Sequence, residues 1–181
     1  MRKGRWVNMK RFTSRQIAFA GLVAALYAAI TLACAPFAYG AVQFRLSEAL
    51  TVLCCFTPSA MWGMVIGCIG ANLISSIGPL DILLGALATL LACLLTRKVR
   101  SPLLLPLPTV VCNAVIIGAQ IAFFTEEGAF WSAFAINAGT VALGELTVMV
   151  LLGLPLYLYL RHSGTGDRLR ALGDGSAHGR G

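Results

Sequence analysis

Three carboxylates stand in otherwise apolar stretches: Glu48 in "QFRLSEALTVL", Asp81 in "DILLGALATLLA" and Glu145 in "ALGELTVMVLLGLPL". The polar side chains able to join them are a single cation, Arg45, and the amides Gln43, Asn72, Asn113 and Gln120. Carboxylates accept hydrogen bonds from ring N–H and amino groups, amides read carbonyls, and aromatics such as Phe37, Tyr39, Phe44, Trp131 and Phe134 can stack. That set suits a neutral or cationic heteroaromatic solute. A phosphorylated or polyanionic one would call for several arginines or lysines, and Arg45 stands alone. Covalent chemistry has no carrier, because GxSxG, HExxH, a paired Asp-rich metal motif and a Walker A loop are all missing. His162 and His178 lie in a polar tail, and the six cysteines form no CxxC pair, so neither a metal site nor any other cofactor is expected. An enzyme is not expected either.

The surroundings of these groups set their cost. The chain has 181 residues, of which 58% are hydrophobic and only 12% charged, with a mean hydropathy of +0.82. Soluble domains carry about a quarter charged residues. Apolar runs able to cross a hydrocarbon layer roughly 30 Å thick recur down the chain. In lipid every backbone polar group must be satisfied internally, so an all-α membrane bundle is expected.

The net charge of +7 is not spread as a nucleic-acid surface would spread it. Arg2, Lys3, Arg5, Lys10, Arg11 and Arg15 precede the first apolar run; Arg97, Lys98 and Arg100 form a second cluster, and Arg161, Arg168, Arg170 and Arg180 a third. These are the cytoplasmic flanks of a multi-pass protein that follows the positive-inside rule. The first apolar run, Ile17 to Ala35, has no small-residue cleavage site after it and reads as a retained span, not a signal peptide.

The clusters also fix a parity. Helix 1 runs from about Gln16 to Ala35, closed by Pro36, and "SEALTVLCCF" follows a polar-aromatic loop. From Leu46 to Phe56 is only about 16 Å as α-helix, short for a span. Merging it with "SAMWGMVIGCIGANLISS" gives three crossings and puts Arg97–Arg100 outside. Keeping it as its own abbreviated helix 2 gives four, and two more bring Arg161 inside. Six helices with both termini cytoplasmic are therefore expected: a basic N-terminus over 1–15, a membrane domain over 16–160 and a disordered tail over 161–181. Pro155, inside the last run, is expected to kink it near its inner end.

With this topology Gln43, Arg45, Glu48, Asn72, Asp81, Gln120, Glu126 and Glu127 fall in outer loops or outer helix ends, and Asn113 and Glu145 lie deeper. Ionisable groups at depth are costly and face a bundle interior or cavity. Glu145 has no basic residue on its own helix, which favours a functional role. Asn113 serves equally as helix–helix glue or as a ligand contact. Arg45 and Glu48 read equally as a loop-to-helix salt bridge or as ligand contacts, while Glu126 and Glu127 read as headgroup-level acids. Helix 1 presents small residues at four-residue spacing, Ala20, Ala24 and Ala28 among them, with Leu22, Val23, Leu26 and Tyr27 on its other side. Such a smooth face admits close approach of another helix, either within the bundle or from a separate membrane subunit.

Taken together, "TSRQIAFAGLVAALYAAIT", "VQFRLSEALTVL", "GCIGANLISS", "DILLGALATLLA" and "ALGELTVMVLLGLPL" resemble the QueT family of queuosine precursor transporters over roughly Thr13 to Leu160. "QFRLSEALTVL" is the most specific of these motifs. Cys54-Cys55 departs from the family pattern, in which a proline is expected after "LTVL". The resemblance implies a substrate-binding (S) component of an energy-coupling factor transporter, a six-helix bundle that captures substrate from the outer side. The polar residues placed to contact such a substrate are Gln43, Arg45, Glu48, Asn72, Asp81, Asn113 and Glu145. The resemblance further implies docking of Ala20, Ala24 and Ala28 on a transmembrane coupling (EcfT-like) subunit, with ATP hydrolysis on two EcfA-like ATPase subunits. The implied cargo is a 7-deazaguanine such as the 7-aminomethyl or 7-cyano form, or a queuine-like base. The resemblance leaves open an S component for another heteroaromatic vitamin, and the residues alone admit a stand-alone proton-coupled carrier for a cationic or neutral heteroaromatic, in which Glu145 titrates. Against that carrier stands the absence of an inverted internal repeat.

Overall fold

The computed structural model describes residues 12–34, 44–73, 78–125 and 130–174. Among them there is no strand. In chain order the elements are α1 (Ser14–Ala33), a 3₁₀ helix (Leu46–Cys55), α2 (Pro58–Asn72), α3 (Pro79–Thr96), a 3₁₀ turn (Pro102–Leu104) and α4 (Pro106–Thr125). After these come α5 (Phe130–Val148), a π turn (Met149–Gly153), α6 (Leu154–His162) and α7 (Thr165–Asp174).

The helix starts follow from local chemistry. Thr13 and Gln16 close a capping box, in which Thr13 Oγ1 accepts from the Gln16 N–H at 3.3 Å and Gln16 Oε1 accepts from the Thr13 N–H at 2.8 Å. Pro58 and Pro79 occupy first-turn positions, where a missing N–H costs nothing. The interruption expected at Pro155 takes the form of the π turn just before it. A wider turn accommodates the ring and the hydrogen bond that Pro155 cannot donate.

Helix directions can be read from contacts. Ala20 lies on Gly63 and Ala24 on Gly67, so α1 and α2 run parallel. A Cβ built on Gly67 would stand 2.7 Å from the Ala24 carbonyl oxygen, which shows how closely the two backbones approach. Two consecutive parallel helices need a return passage between them, and the 3₁₀ helix supplies it. Its first residues meet the end of α1, with Thr31 Oγ1 2.7 Å from Ser47 Oγ. Its last meet the end of α3, where the Cys55 thiol lies 3.7 Å from the Thr96 carbonyl oxygen. At about 2.0 Å of rise per residue, ten residues of 3₁₀ helix cover roughly 20 Å, against roughly 15 Å as α-helix. The tighter winding lets a short segment traverse the bundle.

The remaining helices pack in chain order, α2 on α3, α3 on α4 and α4 on α5, and the 3₁₀ helix touches α1, α2, α3, α5, the π turn and α6. The core around it holds Val23, Tyr27, Leu50, Cys54, Met61, Met64 and Cys68. Leucine, isoleucine and valine instead crowd the outside, as with Leu22, Ile66, Leu83, Val111 and Leu151, all exposed. This inside-out pattern is that of a protein whose solvent is lipid. Among the described residues, four helical segments are long and apolar enough to cross a membrane: Ser14–Ala33, Pro79–Thr96, Pro102–Phe124 and Phe130–His162.

Beyond His162 the structure departs from the disordered tail expected over 161–181, because Thr165–Asp174 is a helix. Composition hid its docking. The Gln16 amide donates to the Leu172 carbonyl at 3.0 Å, and the Arg170 guanidinium lies 5.3 Å from the centre of the Phe56 ring. Residues 175–181 and 1–11 lie outside the described residues.

Candidate functional site

Glu48 opens the 3₁₀ helix and is fully buried. Both of its oxygens are met by hydroxyls from the elements around it. Tyr27 of α1 donates to Oε1 at 2.6 Å, Thr89 of α3 donates to the same oxygen at 3.3 Å, and Thr51 donates to Oε2 at 3.1 Å. These partners come from three elements, so the carboxylate ties α1 and α3 to the 3₁₀ helix. Arg45 lies within electrostatic reach of Tyr27, Glu48 and Asp81. It supplies the nearby countercharge to a carboxylate that the hydroxyl cage holds in place.

A second layer links α2, α3 and α4. The Asn72 amide donates to the Asp81 carbonyl oxygen at 3.1 Å, and the Gln120 amide donates to Asp81 Oδ1 at 2.9 Å. Gly85 makes room here, since a side chain at that position would run into the Asn72 amide.

The third layer is the deepest. Glu145 of α5 is buried, with Asn113 of α4 facing it and with Glu48 and Arg45 within electrostatic reach. Among the described residues, none hydrogen-bonds to the buried atoms Asn113 Nδ2, Asn113 Oδ1 and Glu145 Oε2. Leaving such groups unmatched in a folded interior is costly unless something else meets them.

Of the residues expected to contact substrate, Arg45, Glu48, Asn72, Asp81, Asn113 and Glu145 are thus gathered in one bundle interior, each 3% exposed or less. Gln43 lies outside the described residues, as do Phe37, Tyr39, Glu126 and Glu127. The expected aromatic lining is not all there. Trp131 is 78% exposed, and it packs edge-on to Phe130 and Phe134 on the lipid-facing side. Tyr27, Thr51 and Thr89 were not anticipated. A tyrosine one turn from small residues, and lone threonines in leucine-rich helices, were the available signals. The small residues of α1 also divide. Ala20, Ala24 and Ala28 are half-buried, the first two against α2, while Ala18, Gly21, Ala25 and Ala29 are exposed.

A bundle that turns its leucines outward and gathers acids and amides inside defines a multi-pass membrane protein with a polar interior site. The family model for QueT, described as "QueT transporter", matches residues 17–162, and the chain belongs to that transporter family. No curated protein and no solved structure matches it.

Proposed function

We propose that the chain is the substrate-binding subunit of an energy-coupling factor importer for a queuosine precursor, a 7-deazaguanine in its aminomethyl or cyano form or a queuine-like base. The observation that carries the reading is the unmatched interior at Glu145 and Asn113. A guanine-type edge would meet it: ring N–H and exocyclic NH₂ side by side on the Glu145 carboxylate, and a carbonyl on the Asn113 amide. The solute is captured at the outer ends of the helices, near Asn72, Asp81 and Gln120.

The chain crosses the membrane six times in this reading, with both termini cytoplasmic. Parallel α1 and α2 with a traversing 3₁₀ helix support that count. Energy comes from partners, since the sequence holds no Walker A loop. A transmembrane coupling subunit docks on the exposed small residues of α1, and two ATPase subunits bind that subunit. An apolar groove of about 320 Å³ lined by Phe12, Ile17, Ala20, Gly21, Trp62 and Ile66 supports a partner on this side. The chain itself performs no catalysis.

Affinity purification in a mild detergent tests the assignment. Co-purifying ATPase subunits, with uptake that depends on them, are the expected result. Uptake by the chain alone, driven by a proton gradient, would replace this reading with that of a stand-alone carrier.

A further inference from the structure

We propose that α7 is a latch on the bundle. Seated, it holds together the start of α1, the end of the 3₁₀ helix and the end of α6, and these ends part only when it lifts. The matched family segment stops at residue 162, so α7 lies beyond it.

The seat begins with two glycines. Gly164 takes a φ of +73°, the left-handed conformation that favours glycine, as the chain turns from α6 into α7. Gly166, Leu169 and Leu172 then share one face of α7 and are buried or half-buried, while Asp167, Arg168 and Ala171 are exposed. The closest approach is at Gly166. A Cβ there would run into the Phe56 ring and stand 3.0 Å from the Leu160 carbonyl oxygen.

Three elements meet under this helix. Phe56 follows the last residue of the 3₁₀ helix and is only 4% exposed. Its ring lies 5.5 Å, centre to centre, from that of Tyr157 in α6. From α7 the Arg170 guanidinium comes within 5.3 Å of the same ring, and Asp167 steadies it with an ion pair at 2.9 Å. Two residues further on, the Leu172 carbonyl accepts from the Gln16 amide at 3.0 Å and so reaches α1. Gln16 is also the residue whose side chain closes the capping box at the start of α1.

The hold is light enough to release. A helix of ten residues is shorter than the roughly 12–15 at which an isolated helix becomes even marginal in water, so α7 is helical because it is docked. One amide–carbonyl bond, one cation–π contact and a glycine seat place it among the segments that open before the core does. In the proposed orientation this is the cytoplasmic end of the bundle.

Amide hydrogen exchange of the full-length protein in detergent, read by mass spectrometry, tests the latch without any ligand. Gly166→Leu, whose side chain cannot share the space of the Phe56 ring, should speed exchange over residues 165–172 by about tenfold or more. The same rise should appear at the hydrogen-bonded amides of Ile17, Phe56 and Thr57 and over residues 157–160 of α6. The opposite ends, α1 after Ala28 and α3 before Gly85, should stay as in the wild type. Arg170→Ala is the gentler variant and should give the same pattern at about two- to fivefold. A rise confined to residues 165–172 would overturn the proposal, because α7 would then rest on the bundle without holding it. A rise spread evenly over the chain, or none in either variant, would overturn it as well. Because no solute is involved, each of these outcomes leaves the transport reading where it stood.

Discussion

Glu48 and Glu145 are chemically identical, equally buried and opposite in situation. Three hydroxyls converge on Glu48, whereas Glu145 Oε2 has no hydrogen-bond partner among the described residues. The first arrangement ties α1 and α3 to the 3₁₀ helix, and the second is the one proposed above as an acceptor for the solute. Tyr27→Phe removes one hydroxyl from the first while keeping the ring that packs against Met64 and Cys68. It should cost about 1–3 kcal/mol of stability, read as a lower melting temperature in detergent, with less than a twofold change in ligand affinity. A large affinity loss without destabilisation would instead put Tyr27 in contact with the solute. Which acid belonged to which role was not legible in the sequence. The lack of a basic neighbour on its own helix singled out Glu145, but the hydroxyls that enclose Glu48 come from positions 27, 51 and 89 and meet only through the tertiary fold. Local spacing carries no trace of them.

At the scale of elements, the helices were readable because proline, capping chemistry and apolar run length are local properties. Pro36 bounded the first apolar run, and the parity of the basic clusters argued for a separate short segment after Arg45. Its 3₁₀ winding was not readable, since that depends on the distance the segment must span. The two uses of the small face of α1 were likewise indistinguishable until α2 was seen against Ala20 and Ala24. This division gives a paired prediction. Gly67→Ala places a Cβ against the Ala24 backbone and should destabilise the protein by about 1–3 kcal/mol, observed as a lowered melting temperature. Ala25→Trp, on the exposed side, should leave melting temperature and ligand binding unchanged and abolish uptake by blocking the coupling subunit. Uptake that survives Ala25→Trp with the partner still bound would show that this face of α1 is covered by lipid alone.

The whole molecule is an inverted protein, with aliphatic side chains outward and polar ones gathered within, and the six-crossing topology proposed for it can be tested from the two sides of the membrane. In a cysteine-free background, Ser101→Cys and Ser132→Cys should react with a membrane-impermeant maleimide from opposite sides. In the proposed topology Ser101, which follows the cluster Arg97–Arg100, faces the cytoplasm, and Ser132, in the first turn of α5, faces the outer side. Labelling of both from outside intact cells would contradict the six-crossing topology. The claim on which the rest depends is that the unmatched polar interior is a solute site with Glu145 at its inner end. Titration of wild-type protein and Glu145→Gln with 7-aminomethyl-7-deazaguanine tests it most directly. Glu145→Gln keeps the shape but sets an NH₂ against a ligand donor, so affinity should fall at least about tenfold. An unchanged dissociation constant in correctly folded Glu145→Gln would contradict the account and return Glu145 to a structural role.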